Sequence, residues 1–161
     1  MWLTKAAEHG NIEAQTNLGT MYFHGNGVPQ NLEEAFKWYS LAAKENHPAA
    51  IHGLASMYAN GMGVRRDYRE AFELAQKAAN LDDLGAQFLL AQLYEHGLGV
   101  KQDYVKALMW YGIVGAKRNL PGPEFKAVGG KAIKASKYLI PRMKDKEVKR
   151  AAQLVLRWKP K

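Results

Sequence analysis

The chain has 161 residues, 47% of them hydrophobic and 24% charged, which is enough for one ordinary domain with its own core and unlike a disordered polymer. It contains no cysteine, which excludes a disulfide framework, a thiolate zinc site and a cysteine nucleophile together. Lys and Arg outnumber Asp and Glu by 23 to 15, and the net charge of +8, taken whole, points to an anionic partner such as nucleic acid or a membrane surface. No apolar run approaches the roughly 20 residues of a membrane-spanning helix. The opening MWLTKAAEHG has no basic stretch followed by an apolar one, so it is not a signal peptide.

In chain order, residues 1–10 read as the tail of a unit that then recurs three times without gaps, at 11–46, 47–82 and 83–118. Trp2, Ala6 and Ala7 anticipate Trp38, Ala42 and Ala43, 36 residues later, which favours an N-terminus trimmed from a longer one. Ala14/Ala50/Ala86, Leu18/Leu54/Leu90, Tyr22/Tyr58/Tyr94, the Gly-x-Gly-Val strings at Gly25, Gly61 and Gly97, and Ala35/Ala71/Ala107 are identical in all three copies.

Each copy predicts two helices. Ala14, Leu18, Met21 and Tyr22 share one helical face, and the first glycine of the motif sits where a left-handed residue ends the helix. Val28, Val64 and Val100 read as apolar plugs between helices. Asn31, Asp67 and Asp103 are N-cap residues, with Glu34 and Glu70 placed to complete a capping box. The second helix buries Ala35, Trp38, Tyr39 and Ala42, and Pro48 fits the first position of the helix that follows. Neither helix can bury its apolar face alone, so the copies are expected to stack into an all-α, α/α superhelical solenoid.

The pattern Ala14-x3-Leu18-Gly19-x2-Tyr22-x2-Gly25-x-Gly27-Val28-x2-Asn31-x3-Ala35-x2-Trp38-Tyr39-x2-Ala42-Ala43 resembles the Sel-1-like repeat, a relative of the tetratricopeptide repeat, over about residues 2–116. Leu74-Ala75 depart from the usual Trp-Tyr, and Val114-Gly115 from Ala-Ala. The resemblance implies a scaffold for protein–protein contact, often an adaptor in bacterial signalling, envelope or host-interaction settings. Cysteine-rich relatives are penicillin-binding or β-lactamase-like, but the cysteines on which that activity is patterned are missing here.

Residues 119–161 leave the register. NLPGP (119–123) is a loop, a helix follows from about Glu124 to Ile140 with a weak point at Gly129-Gly130, and a last helix runs from Asp145 to Trp158. These are the expected basic C-terminal capping helices, and the final one also resembles the closing helix of many Sel-1-like proteins.

The motif glycines do not read as a phosphate site, because a helix rather than a strand precedes each copy. His24 and His96 are 72 residues apart and His47 and His52 are five apart, with no carboxylate completing a ligand set, so no metal or cofactor is expected. No Ser/His/Asp order or carboxylate pair is arranged for catalysis, so the expected protein is not an enzyme.

Function is expected at positions of the first helices that vary among copies. By resemblance to tetratricopeptide-like superhelices these line a concave groove: Thr16, Asn17, Thr20 and Phe23, then His52 and Ser56, then Phe88, Gln92 and Glu95. Phe23 and Phe88 would anchor a protein or peptide, with the polar residues bonding beside them. Dividing the charge changes its meaning: residues 1–116 carry 9 basic and 12 acidic side chains, whereas 117–161 carry 14 and 3. Lys131, Lys134, Lys137, Arg142, Lys146, Lys149 and Arg150 form a basic patch, suited to an acidic partner, a polyanion or an anionic membrane surface, with too few aromatic residues for specific nucleic-acid recognition. The compartment is left open between periplasm or export, for a leader already removed, and cytoplasm.

Overall fold

A computed structural model of the chain describes residues 2–160, and among them it holds nine α-helices, two 3-10 turns and no strand. The helices are α1 (Trp2–Glu8), α2 (Ile12–His24), α3 (Leu32–Lys44), α4 (Pro48–Asn60), α5 (Tyr68–Asn80), α6 (Leu84–His96), α7 (Tyr104–Ala116), α8 (Pro123–Leu139) and α9 (Asp145–Arg157). The chain forms two compact units, one ending at Ala78 and one beginning at Ala79.

The loop within each repeat is built the same way three times. Gly25, Gly61 and Gly97 adopt φ of 66° to 71° and donate back to the carbonyls of Met21, Met57 and Leu93, ending the first helix. At the far end of each loop, the backbone N–H of Asn31, Asp67 and Asp103 donates to the carbonyl of Tyr22, Tyr58 and Tyr94 (2.9–3.0 Å). Their side chains then accept the first free N–H groups of the next helix, at Glu33 and Glu34, Arg69 and Glu70, and Lys106. The expected capping box is therefore only half made at Asn31. Its own N–H is already bonded to Tyr22, and the Glu34 carboxylate turns instead to Lys37. Val28, Val64 and Val100 are half-buried.

A second turn joins one repeat to the next. Gly10, Asn46 and Asp82 share a column and all adopt positive φ (86°, 59° and 68°), a conformation that short polar side chains tolerate and β-branched ones do not. His47 precedes Pro48 at the start of α4, as the proline implied.

In the first unit, α1, α2 and α3 bury Ala7, Ala14, Leu18 and Trp38 together, and α2, α3 and α4 bury Ala35, Tyr39, Ala42, Ala50, Leu54 and Met57. The Tyr39 ring is the wedge of this second cluster. A methyl group on Gly19 of α2 or Gly53 of α4 would come within 2.6–2.7 Å of it, so both helices give up a side chain to admit the ring. The buried Gln15 side chain donates to the Ala7 carbonyl (3.1 Å), tying α2 to the end of α1.

In the second unit, α6, α8 and α9 each pack on α7. Gly112 and Gly115 of α7 are its closest approaches: a Cβ there would lie 2.8 Å from Val155 of α9 and 3.1 Å from Ile133 of α8. Gly129 lies against Arg118, and a Cβ added to this glycine would come within 2.5 Å of the Arg118 Cβ. The glycine pair expected to weaken α8 thus lies within an unbroken helix, and one member is there to let the 3-10 turn Lys117–Asn119 approach. The Lys117 ammonium pairs with Asp82, donates to Gln87 Oε1 (3.1 Å) and lies over the Trp158 ring (5.7 Å), joining the turn, α6 and the end of α9.

Candidate functional site

On α2 the residues opposite the Ala14–Leu18 core face are Thr16, Thr20 and Phe23, at i, i+4 and i+7, with Asn17 beside them. The structure treats them unequally. Asn17 and Thr20 are exposed and Phe23 is half-buried, but Thr16 is only 6% exposed. The Thr16 hydroxyl donates to the Ile12 carbonyl (3.0 Å) and lies 3.1 Å from His47 Nδ1, so it is engaged in holding the start of α4. On α4, His52 and Ser56 are half-buried. Gly53, which shares a column with Asn17, is kept small by Tyr39; variation among the copies there has a packing cause.

In the second unit α6 presents the corresponding Phe88, Gln92 and Glu95. Gln92 is exposed, and Phe88 and Glu95 are half-buried. Phe88 is not loose: its ring centroid is 5.5 Å from that of Tyr111, inclined by 58°.

Sequence reasoning missed the second-helix tyrosines as part of these surfaces. The Tyr39 hydroxyl reaches up from α3 and donates to Thr20 Oγ1 (3.1 Å), with Phe23 6.5 Å away by ring centroids. The Tyr111 hydroxyl donates from α7 to Glu95 Oε2 (2.6 Å). Each ring is buried while its oxygen meets a variable first-helix residue, so each fixes the rotamer of that residue from below. Burial raises both phenol pKa values. At Tyr111 the hydrogen bond and the charge of Glu95 raise it further, whereas at Tyr39 the bond to Thr20 lowers it. The signal that could have revealed the tyrosines is Tyr at the same column in the first and third copies, with Ala75 between them, although their partners Thr20 and Glu95 stand in different columns.

The basic residues Lys131, Lys134 and Lys137 on α8, Arg142 in the turn after it, and Lys146, Lys149 and Arg150 on α9 are all exposed. Arg142 lies over the Tyr138 ring (3.5 Å). Among the described residues no group of three His, Asp or Glu side chains could hold a metal ion, and no helix is long and apolar enough to cross a membrane.

With this geometry in view, the comparisons with known proteins agree in kind. The sequence model of the Sel1 repeat matches residues 1–11, 12–47, 48–83 and 85–113. A Sel1 repeat protein from Oxalobacter formigenes, solved as a crystal structure, is 35% identical with a TM-score of 0.64, over 81% of this chain and 96% of that one. The crystal structure of c5321, a protective antigen of uropathogenic Escherichia coli strains with an SLR fold, is 25% identical with a TM-score of 0.59, over 96% of this chain and 39% of that one. Over 38 residues the chain is 47% identical to the chitin synthase regulator SKT5 of Saccharomyces cerevisiae, a stretch that is 24% of this chain and 6% of the yeast protein.

Proposed function

The chain belongs to the Sel1 repeat family, and on that premise we propose that it is a non-enzymatic interaction scaffold whose first-helix surfaces hold a protein or peptide. Sel1 repeat proteins are commonly protein–protein interaction scaffolds. The repeats are proposed at 11–46, 47–82 and 83–118 after a tail at 1–10, and α8 and α9 of 119–161 act as the cap. The close approaches at Gly112 and Gly115 support that last role.

The observation that carries the reading is the division of labour on α2 and α6. One face repeats the packing residues, and the other carries a half-buried phenylalanine beside hydrogen-bonding groups that differ from copy to copy: Asn17, Thr20 and Phe23, and Phe88, Gln92 and Glu95. An aromatic anchor ringed by polar groups is the composition of a binding hot spot, and pre-set rotamers lower the entropic cost of binding. Thr16 supports this surface from beneath, and His52 and Ser56 extend it on α4.

A photo-crosslinking side chain at Asn17 tests it. The expected result is a discrete adduct that Phe23→Ala abolishes while the variant still melts cooperatively, at a cost of about 1–3 kcal/mol because Phe23 packs against the Tyr39 cluster. Phe23→Leu, which keeps most of that packing, should weaken the adduct in the same direction. Adducts unchanged by Phe23→Ala would end the reading. A second reading, favoured by the exposure of the seven basic residues, is contact of the C-terminal segment with an anionic partner. Steep loss of binding with salt would support it, and salt-tolerant capture through Asn17 the first.

A further inference from the structure

The second unit carries an apolar groove of about 440 Å³ between α8 and α9. Gly112 of α7 is in its floor, Ile140 forms one wall, and Val148, Ala152, Val155 and Leu156 of α9 form the other. α9 is apolar around more of its circumference than α7 covers. Ala151 is buried and Trp158 packs edge-on against Trp110 (5.6 Å), yet Ala152 is exposed and Leu156 is 85% exposed, with Ile140 43% exposed across the groove. Lysine or glutamate would serve an unused position on an amphipathic helix; leucine there leaves apolar area in water that another surface can cover.

The rim is positive. Lys137 lies three residues before Ile140 on α8, and Lys149 lies three before Ala152 and seven before Leu156 on α9, so each flanks its apolar wall. Arg142 and Lys144 stand in the connection that closes one end. Against them on that side is Asp145; the Glu147 carboxylate is occupied by the Lys144 backbone N–H (2.8 Å). Among the described residues no carboxylate lies within ion-pair distance of Lys137 or Lys149. The floor, Leu108 and Gly112 of α7, lies between two apolar walls whose outer residues Ile140 and Leu156 are exposed, with the positive side chains flanking them.

We propose that this groove docks an amphipathic helix of a partner protein, its apolar ridge seated between Ile140 and Leu156 and its flanking Asp and Glu residues paired with Lys137 and Lys149. The proposal narrows the second reading above, an anionic partner for the C-terminal segment, to one groove and one partner chemistry. It is independent of the first-helix surfaces.

The test uses the full chain and a labelled, designed helical peptide of about 16 residues, with leucines at i, i+4, i+7 and i+11 flanked by glutamates, against a counterpart with lysine at every glutamate. Fluorescence anisotropy should show saturable binding of the acidic peptide at least about tenfold tighter than the basic one. Leu156→Asp should weaken it about tenfold or more without changing the melting temperature, since Leu156 is exposed. Lys137→Glu with Lys149→Glu should do the same, while Phe23→Ala should change nothing.

Equal binding of the two peptides, or indifference to Leu156→Asp, would overturn the proposal. Lys146→Glu with Arg150→Glu, on the far side of α9, separates it from the broader reading. If that pair weakens binding as much as the rim pair, a diffuse basic contact survives and the groove does not. Binding to phosphatidylglycerol vesicles that Leu156→Asp removes, with no peptide binding, would replace the helix by a membrane. A sedimenting dimer lost in Leu156→Asp would replace it by a second copy.

Discussion

α3 and α7 occupy the same place in the repeat and meet different neighbours. α3 lies between two repeat-type helices, α2 and α4, and keeps Ser40 and Ala43 where α7 has Gly112 and Gly115. α7 faces α8 and α9, which are outside the register, and its glycines admit Val155 and Ile133. Both helices carry a tyrosine at the same column, but Tyr39 donates to a neutral hydroxyl and Tyr111 to a carboxylate. One repeated template is thus adjusted at single residues to what packs on it. At Gly53, Gly112 and Gly115 the column departs from the repeat because of a packed neighbour, and no ligand is needed to account for it.

The largest difference between the two helices is expected at their tryptophans. Trp38→Ala and Trp110→Ala should each cost about 3–5 kcal/mol, read by chemical denaturation, because both are buried. Replacement by Phe should separate them. Trp38 Nε1 is buried without a hydrogen-bond partner among the described residues, so Trp38→Phe removes an unsatisfied donor worth about 1–3 kcal/mol and offsets much of the lost volume. Trp110→Phe has no such offset and loses the contact with Trp158. Equal costs for the two Phe variants would mean that the Trp38 N–H is satisfied in solution.

Next in size are the glycines. Gly53→Ala and Gly112→Ala each force a Cβ to within 2.7–2.8 Å of a neighbour, Tyr39 and Val155, and should cost about 1–3 kcal/mol by overpacking. Combining Gly112→Ala with Val155→Ala should recover part of the loss, because the methyl group it meets is gone. Purely additive costs would refute the close contact.

The tyrosine hydroxyls come third. Tyr111→Phe should destabilise by about 1.5–3 kcal/mol, as for a hydrogen bond to a charged group, and Tyr39→Phe by about 0.5–1.5 kcal/mol. Both phenols are raised above the ordinary value of 10.0. In the unfolded chain they lose the proton near 10 while the folded protein retains it, so the unfolded state binds fewer protons and stability falls as the pH rises past 10. That alkaline slope should be steepest in the wild type and shallower in Tyr111→Phe; identical slopes would contradict the burial of Tyr111.

The smallest effects concern the helix starts. Asn31→Ala should cost about 1 kcal/mol, and Glu34→Ala only about 0.5 kcal/mol or less, since Glu34 makes one exposed ion pair and no bond to the Asn31 backbone. Comparable losses would restore the capping box.

Much of the fold was legible because the repeat states its own rules three times. Gly25, Gly61 and Gly97 mark left-handed helix ends, Asn31, Asp67 and Asp103 mark caps, and alternate Ala and aromatic positions mark the buried stripe. The candidate surface was less legible. Thr16 looks like its neighbour Thr20 in a helical projection, yet one is buried against His47 and the other exposed, a difference set by α4 rather than by α2. The αL column Gly10/Asn46/Asp82 was available from composition, since Gly, Asn and Asp share tolerance of positive φ.

By itself the sequence determined the period, the helix ends, the caps and the separation of a mildly acidic repeat region from a strongly basic C-terminal segment, because each depends on local backbone preference or on counting. Packing between helices set the rest: which variable positions are exposed, that α8 continues through Gly129-Gly130, that tyrosine hydroxyls of α3 and α7 reach Thr20 and Glu95, and that α9 leaves Leu156 uncovered. Those outcomes depend on which helix lies across from which, and the distances that fix them join residues far apart along the chain.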